Sequence, residues 1–429
     1  MKWSNFNFLF TVTKNKERNL ILYNSLYGSA ILLPKRLKLR NLRDESPETV
    51  KLLESNNFLI DDNINEIDLI KSQNKLQRFN ERTLELTILP TMWCNLRCVY
   101  CYENKRKETM TDDDINTIYT YIRNKAKQIN SLSLLWFGGE PLLQVGKIKA
   151  LSKRLIQLAR RNKIQFKNSI ITNGVLLNNT VCRTLFACGI KYVQITLDGS
   201  PKVHDRRRPT TNGKGTFKLI FDNLLNAINY FDVSVRVNID ENNKRSVKEL
   251  IDILASFNLQ NKLYVYVAKV EKIQGACESV GGACLDDWDF LNTEKKILAY
   301  LDKKGFKKVA VPSYRANYCT ADNIHSFTIL PGRKVYKCWH LVSDKKEVVG
   351  ELVNNKINFN QNIYKWLSYD PLDNKACLKC KYLPLCMGGC PKIKLIEGKT
   401  RCDQLKNSLI KYIESLIASN KSSLRKNHS

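Results

Sequence analysis

A chain of 429 residues, 43% hydrophobic and 26% charged, is long enough for a large barrel with a satellite domain or two. No window approaches the ~20 apolar residues that a membrane-crossing helix needs, and the start, Met1 to Thr11, is broken by Ser4, Asn5 and Asn7, so a cytoplasmic protein without a membrane partner is expected. Lys plus Arg exceed Asp plus Glu by 29, which attracts an acidic peptide, an acidic membrane surface or nucleic acid, but the excess is spread along the chain and no RNA-reading motif accompanies it.

In chain order, Phe8 to Thr13 and Asn19 to Tyr23 read as strands, and Asn24 to Leu33 as a turn with a further strand. Ser46-Pro47-Glu48 opens a helix, with Ser at the N-cap and Pro at the first helical position. Phe58 to Ile60 reads as a short strand, and acidic residues follow from Asp61 to Glu66. From about residue 81 to 300 the pattern becomes strand, then helix, repeated. The predicted strands are 84–89, 132–137, 169–172, 192–197, 233–239 and 263–268, with amphipathic helical runs over 112–127, 145–161 and 216–231. Such β/α units imply parallel strands, α/β class, bent into an incomplete barrel with its chemistry on the loops at the strands' carboxyl ends.

The loop after the first of these strands holds Cys94, Cys98 and Cys101 at C-x3-C-x2-C spacing. Fourteen cysteines in a reducing compartment point to metal ligation over disulfides. Zinc sites and ordinary iron–sulfur clusters use four protein ligands. Three cysteines with no fourth nearby suggest a cluster with one iron free to bind something else; a zinc site with a distant ligand, or packed thiols, is the plainer alternative.

The spacing, with the aromatic Tyr100 before the last Cys, resembles the radical S-adenosylmethionine (SAM) enzymes. That resemblance implies a [4Fe-4S] cluster on Cys94, Cys98 and Cys101, with SAM on the open iron, reductively split to a 5′-deoxyadenosyl radical that takes a hydrogen from substrate. It further implies that Gly138, Gly139 and Glu140, in Phe137-Gly138-Gly139-Glu140-Pro141, bind the methionine amino end. Asn173, Thr196 and Asp198 fall on positions resembling those that line the SAM pocket, although an Asp-Gly at a strand end is also an ordinary turn. Arg236 and Asn238, two apart on the fifth strand, share a face and are further SAM-ligand candidates. The run His204-Asp205-Arg206-Arg207-Arg208-Pro209 resembles the protein-modifying branch of the family; its arginines suit peptide carboxylates, or form a solvated basic loop. Cys182 and Cys188 read as core thiols. Cys277 and Cys284 flank a Gly-rich insertion and are loop thiols, auxiliary-cluster ligands or part of a substrate channel.

Past residue 300, Cys319, Cys338, Cys377, Cys380, Cys386, Cys390 and Cys402 are similar in order to the SPASM extension of radical SAM enzymes. The resemblance implies two auxiliary [4Fe-4S] clusters, one on Cys377, Cys380, Cys386 and Cys402, the other on Cys319, Cys338 and Cys390. In sulfatase-maturing relatives an Asp follows the second Cys as catalytic base. Here Trp339 stands there, leaving His340 or Asp344 as the candidate base.

The expected organisation is a cap over 1–80 that resembles the winged-helix-like modules of peptide-modifying radical enzymes, suited to leader-peptide recognition, or else is a plain β-rich cap; a partial (β/α)6 TIM-like barrel over 81–300; a SPASM iron–sulfur domain over 301–403; and a helix with a disordered tail over 404–429. The expected activity is maturation of a ribosomally made precursor peptide by thioether or carbon–carbon crosslinking or by epimerisation, with a flavodoxin or ferredoxin as electron donor. The alternatives are formylglycine formation in a sulfatase and, from another class, a basic nucleic-acid-binding iron–sulfur protein.

Overall fold

The computed structural model describes residues 1–14, 17–33, 46–271, 275–306 and 313–400, together with 402, 409 and 413. The helix and tail expected over 404–429 therefore lie almost wholly outside the described residues. The chain divides into two compact units, one of residues 1–79, 309–323 and 368–429, the other of residues 80–308 and 324–367.

In the first unit, β1 (Lys2–Trp3) pairs antiparallel with β5 (Leu59–Ile60), and β2 (Asn7–Lys14), β3 (Glu17–Asn24) and β4 (Ala30–Leu33) form a meander. Helix Pro47–Ser55 starts where the sequence places it, with the Ser46 hydroxyl accepting from the Thr49 amide. The stretch read only as acidic, Asp61 to Glu66, leads into a second helix, Glu66–Arg78, capped by Asn65. Its buried side is Glu66, Ile70, Asn74 and Arg78. That is a helical stripe at four-residue spacing, but mostly polar, so hydrophobic periodicity does not reveal it. Glu66 is satisfied by the Ser4 hydroxyl at 2.5 Å and the Asn5 amide at 2.7 Å, as burial of a carboxylate requires. The meander's Phe8, Ile21 and Tyr23 pack with Leu385, Leu409 and Ile413, and Phe6, Leu26 and Ile70 with Leu372, Leu383 and Met387. Chain start and C-terminal cysteine region thus share one core.

The second unit is built on a ten-stranded sheet. Six parallel strands, β6 (Thr83–Ile88), β7 (Ser131–Trp136), β8 (Gln165–Thr172), β9 (Ile190–Thr196), β10 (Asp232–Ile239) and β11 (Leu263–Lys269), lie side by side in chain order. Each matches a strand expected from sequence to within a few residues at its ends. Helices connect successive strands. In Val145–Asn162 the buried Ile148, Leu151, Leu155 and Leu158 recur every three or four residues, each contributing ~1.5–3 kcal/mol on burial. Beyond β6 the sheet continues through β12 (Ser326–Ile329), parallel to β6, and then β13 (Lys334–Tyr336), β14 (Gly350–Val353) and β15 (Lys356–Phe359) as an antiparallel meander. Residues 324–367, grouped with the cysteine-rich segment in the sequence reading, are thus a structural continuation of the parallel sheet.

Cys182 and Cys188 are fully buried core thiols. Cys277 and Cys284, left open as loop thiols, auxiliary-cluster ligands or part of a substrate channel, are paired with one another as a disulfide. The short helical turn Glu278–Val280 and two left-handed glycines, Gly281 (φ 68°) and Gly282 (φ 72°), fold the chain back so that the two Cα atoms stand 5.6 Å apart.

Candidate active site

The carboxyl ends of β6 to β11 surround a cavity of about 200 Å³ lined by Cys94, Cys98, Tyr100, Cys101, Gly138, Gly139, Glu140, Asn173, Thr196, Arg236 and Asn238. It is built from the cysteine loop inward. The guanidinium of Arg97 bonds the carbonyls of Cys94 and Leu96, both at 2.9 Å, and lies 4.5 Å from the centroid of the Trp93 ring. Lys105 adds a third tie, to the Leu96 carbonyl at 3.0 Å. Burial pushes the Cys94 thiol up to about 12 and Cys101 to about 11. Thiols held protonated in this way become thiolates when a metal centre binds them. Cys94, Cys98 and Cys101 all line the one cavity.

The next loop seats this one. Gly139 donates to the Thr91 carbonyl at 3.1 Å and Glu140 to the Trp93 carbonyl at 2.9 Å. A Cβ on Gly139 would stand 2.3 Å from the Trp93 oxygen, and one on Gly138 (φ +110°) 2.7 Å from the Thr91 oxygen. The glycine pair is required first for the close approach of two protein loops. The buried Glu140 carboxylate accepts from the Leu142 amide (3.0 Å), the Thr172 hydroxyl (2.6 Å) and the Asn173 amide (2.7 Å). Burial raises its pKa. Oε2, with one donor, keeps capacity for another, which fits an amino group. Asn173 reaches the Asn95 side chain at 2.8 Å and stands 3.7 Å from the Cys94 sulfur.

On the far wall, Arg236 Nε donates to Asn238 Oδ1 at 2.8 Å, and Asn238 Nδ2 to the Tyr100 hydroxyl at 3.2 Å. Asp198 is not on the cavity wall. It lies fully buried behind it, accepting from the Tyr100 hydroxyl and from the Asn238 amide at 2.9 Å. Its candidate role as a direct SAM contact is corrected to one of holding those two groups. Asp344 is exposed and is not among the residues that line the cavity; it caps a short turn by accepting from the Lys346 amide at 2.9 Å. His340 does line the cavity, its ring stacked on Tyr102 at 5.2 Å, and Trp339 lines it beside Phe137 at 6.0 Å.

The three arginines after His204 separate. Arg206 is exposed. Arg207 is buried, its Nη1 donating to both carboxylate oxygens of Asp240 at 2.7 and 2.9 Å, and is therefore not available to a peptide. Arg208 lines the cavity and donates to the Tyr100 hydroxyl at 2.6 Å. Lining residues that pattern alone did not mark include Tyr102, Glu103, Gln194 and Lys269. Burial pushes Glu103 up to about 7. Period two from Thr196 would have found Gln194.

Residues 88–254 match the Radical SAM superfamily. The chain carries a radical SAM domain. It is an enzyme of radical chemistry, related to maturating enzymes. A cysteine-type anaerobic sulfatase-maturating enzyme of Clostridium novyi (strain NT) is 24% identical over 341 residues, 73% of this chain and 89% of that protein. A serine-type anaerobic sulfatase-maturating enzyme of Klebsiella aerogenes is 22% identical over 331 residues, 72% and 79% of the two chains. Among solved structures, native anSMEcpe with bound AdoMet and Cp18Cys peptide shares the fold with a TM-score of 0.58 at 19% identity, over 78% of this chain and 98% of that one. Streptococcus suis SuiB bound to precursor peptide SuiA does so with 0.50 at 16%, over 91% and 95%. For the radical SAM domain, the donor set, the glycine cradle and the spare acceptor on Glu140 fit a SAM-binding cluster at this cavity.

In the first unit, Cys377, Cys380, Cys386 and Cys402 line a second cavity, of about 210 Å³. Cys319 and Cys390 belong to that unit and Cys338 to the other.

Proposed function

We propose that this protein is a peptide maturase that modifies a residue of a ribosomally made precursor by crosslinking or epimerisation. The observation that carries the reading is the cavity where three cysteines meet a glycine cradle and a polar wall at the carboxyl ends of six parallel strands. When bound, the cluster on Cys94, Cys98 and Cys101 supplies the electron that splits SAM and so the radical that abstracts a substrate hydrogen. Gly138, Gly139 and Glu140 hold the amino end of the methionine group, with Asn173, Thr196, Arg236 and Asn238 as its other contacts and Tyr100 closing the wall. The apolar Phe137 and Trp339 exclude water from this wall. His340, rather than the capping Asp344, is the candidate base that takes a proton from the substrate.

Cys377, Cys380, Cys386 and Cys402 hold one auxiliary cluster in this reading, supported by their shared cavity. A flavodoxin or ferredoxin supplies electrons, and residues 1–80 grip the leader. A peptide substrate is supported by the basic charge of +29 and by the peptides bound in the anSMEcpe and SuiB structures.

The relatives' names favour a second reading, formylglycine formation in a sulfatase. Trp339 weighs against it, because an indole following Cys338 does not accept a proton. Anaerobic incubation with SAM, a strong reductant and either a short peptide encoded beside this gene or a sulfatase-motif peptide separates the two. A crosslinked or epimerised residue in the first peptide supports the maturase. An aldehyde in the second, trapped by a hydrazide, with the first unchanged, supports the rival.

A further inference from the structure

The segment after helix Pro201–Arg207 lies antiparallel against the cysteine loop. Arg97 N donates to the Pro209 carbonyl at 2.8 Å, Val99 N to the Arg207 carbonyl at 3.0 Å and Thr211 N to the Asn95 carbonyl at 3.1 Å, and Leu96 bridges Thr210. In that register Cys98 stands opposite Arg208. Both side chains line the same cavity.

The segment is fixed from behind. Arg207 is locked on Asp240, and Asp205 accepts from the Thr216 and Phe217 amides, both at 2.7 Å. His204 takes the Asp198 amide on Nδ1 at 3.2 Å, so its proton sits on Nε2, directed to the Thr216 hydroxyl at 3.1 Å; that hydroxyl donates to the Arg208 carbonyl at 2.7 Å. The Arg208 guanidinium is buried, bonded to the Tyr100 hydroxyl and 3.9 Å from the Asp198 carboxylate. A cation held so rigidly in a low-dielectric wall acts on nearby charge far more strongly than a solvated one.

We propose that Arg208 is a positioning residue whose fixed positive charge, set opposite Cys98 by the antiparallel clamp, stabilises the extra negative charge of the reduced cluster and so raises its reduction potential. This rests on the radical SAM reading of the triplet and goes beyond it by giving the arginine run a role other than peptide binding. Asp198 and Tyr100 hold the guanidinium in place, and Arg207 and Asp240 hold the clamp.

The test is a redox titration of the anaerobically prepared holoenzyme, following the electron paramagnetic resonance component that responds to added SAM. Arg208→Gln is compared with Arg208→Lys, and iron content and SAM affinity are measured in parallel. Arg208→Gln should keep its iron but lower the reduction equilibrium constant on the order of tenfold, ~59 mV for one electron, and Arg208→Lys should recover most of that shift. Tyr100→Phe, which keeps the ring and removes the hydroxyl bonded to the guanidinium, leaving only the Asp198 carboxylate to hold it, should shift it in the same direction by less, and decides the matter if Arg208→Gln loses iron. The proposal is overturned by an unchanged potential in an iron-replete Arg208→Gln, or, should that variant lose iron, in Tyr100→Phe. A shift that Lys does not reverse, or a change confined to SAM affinity, overturns it too. Absence of any SAM-responsive signal from the wild-type protein would instead remove the reading of the triplet itself.

Discussion

Two buried titratable side chains show how the site is held. Glu140 gathers three donors from two loops, so Glu140→Ala strands the Leu142 and Asn173 amides and the Thr172 hydroxyl. Bonds to a charged acceptor contribute ~1.5–3 kcal/mol each; chemical denaturation should show a loss of at least about 3 kcal/mol. His204 works in the neutral form, because burial, then Arg208 and Arg207, push its pKa well below 6.5. The sign follows: below pH 6.5 the unfolded chain takes up a proton that the folded one refuses, so this part of the stability is whole above pH 6.5 and is lost as pH falls through the depressed folded value. Urea unfolding between pH 7.5 and 5.5 should give a steeper loss in the wild type than in His204→Gln, by up to ~1.4 kcal/mol per pH unit. Equal slopes would show that His204 carries the proton in the fold. At this scale the residues marked from sequence that line the cavity include the three cysteines, the glycine pair and Glu140, while others lie behind or away from it. Asp198 and Arg207 carry charges that suggest ligand contacts, yet Asp198 accepts from the cavity-wall Tyr100 and Arg207 is taken up by the buried Asp240, partners that only the tertiary structure brings near.

Among the elements, the β/α repeat is legible because buried parallel strands are nearly continuous apolar runs and the crossover helices are strongly amphipathic. Helix Glu66–Arg78 is not, because its inward stripe is polar. Strands β12 to β15 escape notice because each is only three or four residues long and lies among the cysteines that dominate that stretch. The glycine loop yields a sharp prediction. In Gly139→Ala the added methyl meets the Trp93 carbonyl, so the cysteine loop must lift from its seat. Reconstituted protein should then lose the iron of the triplet while keeping that bound elsewhere; full iron with normal SAM cleavage would show that the two loops need no such close approach.

For the molecule as a whole, the charge excess of 29 is a statement about partners. Binding of an acidic precursor peptide should weaken several-fold between 50 and 300 mM salt, as screening shortens the reach of a basic surface, whereas an uncharged peptide of equal length should bind independently of salt. All of this depends on radical chemistry at the three-cysteine loop, and one comparison tests it most directly. Anaerobically reconstituted wild type and a variant with Cys94, Cys98 and Cys101 changed to Ala are each given SAM and a strong reductant, and 5′-deoxyadenosine is quantified beside bound iron. The wild type should form the nucleoside, and the variant should form none while still binding iron through its remaining cysteines. Nucleoside formation that survives in the variant, or a wild type that binds zinc in place of iron and leaves SAM intact, would contradict the account.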